Sequence, residues 1–280
     1  EIIINVLIRE LNYKIIGVNE DNDSLIYKAE DFIRKTKDFG LPQKRARTYI
    51  VGFRKDIIPL NFKFKPLPKH RESVIFKNIY EVLDKNVSPK YYLSEQYITT
   101  LEKHKKNHKE KGNGFGFEIV NIGENPIANT ILATGGSGKE RNLIFQENHE
   151  YYGKMFGSKK SPINDKGIRV MTPNEWARLQ GFPDEFLIPV SDNQAYKQFG
   201  NSVAIPVLNE IIGEILKLKM ENYSSYKRVL TKKITNGEKF SNSGSNREHR
   251  KIGEKYSLTS LESDGCLKSV EGVIKSAISK

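Results

Sequence analysis

The stretch Thr172–Pro183 constrains the fold more tightly than any other part of this sequence. Thr172 offers a capping hydroxyl, Pro173 stands at the first helical position, and Glu175 completes a capping box. Trp176 and Leu179 then share a face and read as core, and Gly181 followed by Pro183 stops the helix after about two turns. A second helix is predicted from Ile205 to about Met220, with Val207, Ile211, Ile215 and Leu218 as its buried stripe.

Toward the N-terminus the signals are shorter. Residues 2–12 read as a helix, because Ile4, Ile8 and Leu11 fall at helical spacing. Tyr13–Val18 reads as a short strand, Glu20–Ser24 as a polar turn, and Ala29–Lys37 as a second short helix. Thr48–Phe53 is a β-branched and aromatic run, expected as a buried strand. Residues 54–68 turn basic and proline-rich, which suggests a crossing into another unit. Leu93–Lys111 has helical leanings, and residues 112–146 hold strand-like pieces (Phe115–Val120, Thr130–Ala133, Asn142–Phe145) between glycine turns. Beyond Met220 the chain becomes rich in Ser, Asn, Lys and Arg and reads as linker or tail. Residues 256–280 show faint helical periodicity, to which no function is assigned.

Charge points to a partner. The sequence holds 46 Lys and Arg against 34 Asp and Glu, a formal net charge of +12, which favours a polyanion, with nucleic acid the first candidate. The single cysteine, Cys266, rules out an intrachain disulfide and fits a reducing compartment. No apolar run approaches the ~20 residues of a membrane span, and Ile2–Ile8 lacks the flanks of a signal peptide, so no membrane partner and a cytoplasmic location are expected. His104 and His108 have a zinc-chelating i, i+4 spacing. No third ligand is evident nearby and Lys105, Lys106 and Lys109 would repel a cation, so no metal is expected there. Ala133–Lys139 imitates a phosphate loop, but Ala133 replaces its first glycine and Glu140 its Ser or Thr, so it reads as a glycine loop between strands. The chain opens on Glu1 inside an uncapped apolar pattern, which reads as a cut from a longer protein.

Three segments, in this order, resemble the last blocks of the cytosine-5 DNA methyltransferases. They are Gln43-Lys44-Arg45-Ala46-Arg47 running into Thr48–Gly52, then Arg169–Pro183, then Tyr196-Lys197-Gln198-Phe199-Gly200-Asn201-Ser202-Val203. The resemblance spans residues 1–220. It implies an α/β fold: the C-terminal part of a Rossmann-like, S-adenosylmethionine-dependent methyltransferase domain, interrupted by a small, mostly β target recognition domain. In that reading residues 1–55 end the catalytic domain, 56–166 form the insert, 167–220 return to the catalytic domain, and 221–280 are a basic polar tail.

Such an enzyme must rotate cytosine out of the duplex and hold it. Gln43, Arg45 and Arg47 alternate along an extended segment, so all three are expected on one side as a donor-rich wall. The resemblance implies that Arg47 holds the flipped base, with Arg45 beside it. It also places Asn201 and Ser202, expected at the start of the last helix, beside the methionine part of S-adenosylmethionine. Gly112–Phe117 and Asn129–Leu132 resemble parts of recognition domains, with Thr130 implied on a phosphate beside the base; Lys139, Arg141 and Asn142 are candidate groove-facing residues. The family's Pro-Cys nucleophile, glycine-rich cofactor loop and Glu-Asn-Val block have no match here, and Cys266 has neither their order nor their context.

The resulting expectation is part of a bacterial restriction–modification enzyme that acts on double-stranded DNA. It would be inactive alone and completed by an N-terminal portion in the same chain or a separate subunit. The alternative is a stand-alone sequence-specific DNA-binding protein or a remnant without catalysis. A tRNA methyltransferase of the same family is disfavoured by the long basic insert.

Overall fold

The chain begins with α1 (Ile2–Asn5), which widens into a π-helical turn over Val6–Glu10 closed by Leu11 N–H on Val6 O. The wider turn rotates Leu11 away from the Ile4 and Ile8 face. Those two isoleucines are buried while Leu11 is 55% exposed, so the predicted single stripe is broken. This computed structural model describes residues 2–21, 24–56, 58, 64–113, 116–134 and 138–217, all within the unit Glu1–Leu218. Leu218, Cys266 and the expected tail lie outside the described residues.

Ile4 and Ile8 pack with Ile15, Val18 and Phe32 over β1 (Tyr13–Ile15). The expected polar turn is flanked by a hairpin of β2 (Asn19–Asp21) and β3 (Ser24–Ile26). In place of the predicted helix over Ala29–Lys37 there are two 3-10 turns, Ala29–Phe32 and Thr36–Phe39, around β4 (Ile33–Lys35). A long-range contact overrides the local pattern here: the buried Arg34 guanidinium donates to the carbonyls of Leu67 and Pro68.

β5 (Gln43–Lys44) is followed by β6 (Ala46–Thr48), antiparallel to β4, and β7 (Gly52–Arg54), antiparallel to β1. The strand predicted over Thr48–Phe53 is therefore split. Its middle is held by Tyr49 N–H on Phe32 O and by Val51 O, which accepts Ile16 N–H.

Residues 56–166 are not mostly β. Their longest described element is α2 (Glu95–Glu110), capped by Ser94 and burying only Ile98. Their strands are β8 (Ala128–Asn129), parallel to β5, and β9 (Leu143–Phe145), antiparallel to β10 (Ile168–Val170). The Lys- and Glu-rich composition of α2 suits a solvated helix, and Gly, Pro and Asn interrupt the strands after two or three residues. Both strand pairs cross the boundaries expected at 56 and 166.

The C-terminal part carries α3 (Pro173–Leu179), α4 (Asp192–Asn201) and α5 (205–217). α4, capped by Ser191, has no counterpart in the sequence-based reading. Trp176, Leu179, Tyr196 and Phe199 pack with Ile79, Ile131, Ile144 and Met171. Val207 and Ile211 of α5 are buried among Ile16, Phe39, Leu41 and Leu67. Gly181, at φ +79°, turns the chain after α3. A Cβ there would sit 2.6 Å from Pro206 Cδ, so glycine is needed for both conformation and space.

Candidate active-site face

Arg45 ties the first sequence block to the third and to the Ile131 segment. Its Nη1 donates to Ile131 O (2.9 Å), and its Nη2 donates to Gly200 O (3.1 Å) and Ser202 O (2.8 Å). The side chain is 3% exposed, and burial, with the charge of Arg47 second, pulls its pKa down to about 10, still cationic at neutral pH. Gly200 allows the same junction to close. A Cβ at that position would meet Leu132 C and O at 2.5 Å and Ala133 N at 2.6 Å, all backbone atoms that cannot swing away. Gln43 completes the seam: its amide donates to Leu179 O (2.8 Å) and accepts from Ile131 N–H (3.3 Å).

The predicted wall of three side chains is thus divided. Gln43 and Arg45 point inward and are consumed by backbone, while Arg47 is exposed and donates to Ala46 O. The alternation fails because Arg45 N–H bonds back to Gln43 O, a three-residue turn between β5 and β6. Gln43 therefore does not reach DNA. Arg45, with its donors on three backbone carbonyls, braces the segments it holds.

Thr130 follows β8 directly, and its hydroxyl donates to Lys44 O. That hydrogen is already committed, so a phosphate contact would require the hydroxyl to leave Lys44. Lys44, on the strand paired with β8, is exposed, as is Arg47 on β6.

The glycine-loop residues also divide. Asn142 is fully buried: its Oδ1 accepts Asn129 N–H (2.8 Å) and its Nδ2 donates to Asn129 O (3.3 Å), so it pins the loop and faces no groove. The Nζ of Lys139 lies 4.2 Å from the Tyr196 ring centroid and 3.3 Å from Asn193 Oδ1, and burial lowers its pKa. It ties the loop to α4. Arg141 is exposed.

Asn201 and Ser202 end a helix; they do not begin one. Asn201 is the last residue of α4, and Ser202 is its C-cap, with its hydroxyl donating to Phe199 O (2.8 Å). The α5 N-terminus is a poor anion site: Ile205 N–H is taken by Gln180 O, and Pro206 has no N–H. A helix C-terminus carries partial negative charge, so this turn suits the ammonium of a methionine group better than its carboxylate. The exposed Asn201 amide can serve either.

A polar hub that no spacing rule flagged supports this face. Arg169 and Glu175 are both fully buried and paired through two contacts, 2.9 Å and 2.6 Å. Glu175 also completes the capping box on Thr172 N–H and accepts Asp84 N–H. Asp84 in turn accepts from Thr172 Oγ1 and Arg178 Nη1. The predicted cap was visible in the sequence; that its glutamate also holds a buried arginine was not. Among the described residues no three His, Cys, Asp or Glu side chains form a metal-holding group, and no helix is long and apolar enough to cross a membrane.

A solved methyltransferase, EhMeth of Entamoeba histolytica, aligns with TM-score 0.50 at 22% identity, covering 77% of this chain and 57% of that one. The chain belongs to the C-5 cytosine-specific DNA methylase family, whose model matches residues 11–217. It is 47% identical over 216 residues to the type II methyltransferase M.HpaII of Haemophilus parainfluenzae, covering 77% of this chain and 54% of that protein. It is 36% identical over 197 residues to M1.ScrFI of Lactococcus lactis subsp. cremoris, covering 70% and 45%. The chain spans about half the length of these curated relatives.

Proposed function

We propose that this chain is the C-terminal, DNA-reading half of a cytosine-5 DNA methyltransferase of a type II restriction–modification system. The observation that carries the proposal is the Arg45 junction. One buried guanidinium ties the Ile131 segment to the Gly200–Ser202 turn, so that Arg47, Lys44 and Thr130 are held in fixed relation to Asn201. In this reading residues 56–166 read the duplex, Arg47 donates to the carbonyl of a flipped cytosine, and Lys44 and Arg141 contact phosphates. Asn201 and the carbonyl-rich end of α4 hold the methionine part of S-adenosylmethionine, which supplies the methyl group.

The sole cysteine, Cys266, follows Gly265, so this chain offers no Pro-Cys nucleophile to attack C6 of the base. The chain by itself is expected to transfer no methyl group. Incubation with labelled S-adenosylmethionine and mixed-sequence duplex tests this: counts at background support the half-enzyme reading, and clear incorporation into cytosine refutes it.

One observation favours a second reading, a stand-alone DNA-binding protein. The α5 residues Val207 and Ile211 find their cover within this chain, at 1% and 3% exposed. Tight, sequence-specific retardation of duplex DNA by the isolated chain would favour that reading.

A further inference from the structure

Residues 151–164, Tyr-Tyr-Gly-Lys-Met-Phe-Gly-Ser-Lys-Lys-Ser-Pro-Ile-Asn, form a stretch with three lysines and no acidic side chain. The backbone closes it into a loop: Gly153 N–H donates to Ile163 O (3.0 Å), and Ile163 N–H donates to Lys154 O (2.9 Å). Gly153 (φ 71°) and Gly157 (φ 58°) supply the left-handed corners. At the tip Met155 is 59% and Phe156 is 38% exposed.

The base of this loop is anchored. Ile163 is fully buried with Val87 and Tyr92, and Tyr151 packs against them. Lys159 Nζ donates to Lys90 O (3.1 Å), and Ser161 Oγ accepts Gln96 N–H (3.0 Å). Lys90 pairs with Asp192 (2.8 Å) at the start of α4, whose Asn193 holds Lys139 of the glycine loop. The loop is thereby linked through consecutive contacts to the junction described above.

Single exposed apolar residues are ordinary, but an adjacent Met–Phe pair on an anchored tip between lysines is a specific arrangement. A polyanion with apolar stacked bases at its centre matches it on both counts, and apolar wedges flanked by cations are how proteins enter a base step. We infer that Met155 and Phe156 form a wedge that enters a groove of duplex DNA, with Lys154 and Lys160 on the flanking phosphates. This rests on the proposal that the protein binds duplex DNA, and adds the element that deforms it.

The test is titration of the full-length protein carrying this chain with a fluorescent duplex at several salt concentrations. Met155→Ala/Phe156→Ala is expected to raise Kd by about tenfold with an unchanged salt slope, since no cation is removed. Lys154→Gln/Lys160→Gln is expected to lower the slope by about 1.8, at about 0.9 per phosphate. All four residues are exposed, so thermal unfolding should not change. Duplex binding by the unsubstituted protein with both variants unaltered overturns the wedge and leaves the DNA-binding proposal standing. An apolar variant that changes only self-association also overturns it, because the tip then meets protein. No duplex binding by the unsubstituted protein overturns both.

Discussion

Arg45 and Arg47 stand two residues apart in one motif, yet the structure gives them opposite physical situations, and a paired substitution separates them. Arg45→Met removes the donors of three carbonyls: Ile131 O, Gly200 O and Ser202 O. Each orphaned buried acceptor costs about 1–3 kcal/mol. Relief of a desolvated charge offsets part of that, leaving a net loss of about 2–4 kcal/mol. For a unit of this size that lowers Tm by about 4–16 °C. Arg45→Lys should recover only part of the loss, because an ammonium cannot span two segments as a planar fork does. Arg47, exposed and bonded only to its neighbour's carbonyl among the described residues, should cost less than about 0.5 kcal/mol as Arg47→Ala. In the complete methyltransferase that same change should lower kcat/KM by about 10- to 100-fold, the value of a charged hydrogen bond to the base. Urea melts and single-substrate kinetics on the three variants read both quantities. An Arg45→Met protein as stable as the parent would refute the junction, and an Arg47→Ala protein with undiminished kcat/KM would refute the division of roles.

Further consequences follow from neighbouring contacts. Gly200→Ala should destabilise by about 1–3 kcal/mol, since its Cβ would press on the Leu132–Ala133 backbone; a neutral effect in a denaturation melt would show that the two segments separate freely. Arg169→Met, by stranding the buried Glu175 carboxylate, should cost about 3–5 kcal/mol, and adding Glu175→Gln should recover part of it; strict additivity would contradict the pairing. Asn142→Ala should lower stability by about 1–2 kcal/mol and leave the salt dependence of DNA binding unchanged, whereas Arg141→Gln should reduce the salt slope by about 0.9 with stability intact. The reverse pattern would return Asn142 to the groove.

Local interactions are legible without tertiary information, and this sequence announced them plainly. The α3 capping box, its proline and its glycine stop lie within a few residues, and the structure has each of them in place. α2, β9 and the apolar stripe of α5 were readable for the same reason, since periodicity and composition act over one or two turns. The three family blocks were legible as text, and with them the family.

What each block does with its side chains was decided by partners far away in sequence. Arg45 faces inward because carbonyls 86, 155 and 157 residues distant need its donors, and strand alternation knows nothing of them. Arg34 turned an expected helix into a strand by reaching Leu67 and Pro68. Asn201 and Ser202 became a helix end because Ser191 starts α4 ten residues earlier and Gln180 takes the next free N–H. Buried polar groups must find partners wherever the fold supplies them. Sequence alone therefore named the residues of this face, and only tertiary structure determined which of them are buried as braces and which remain exposed.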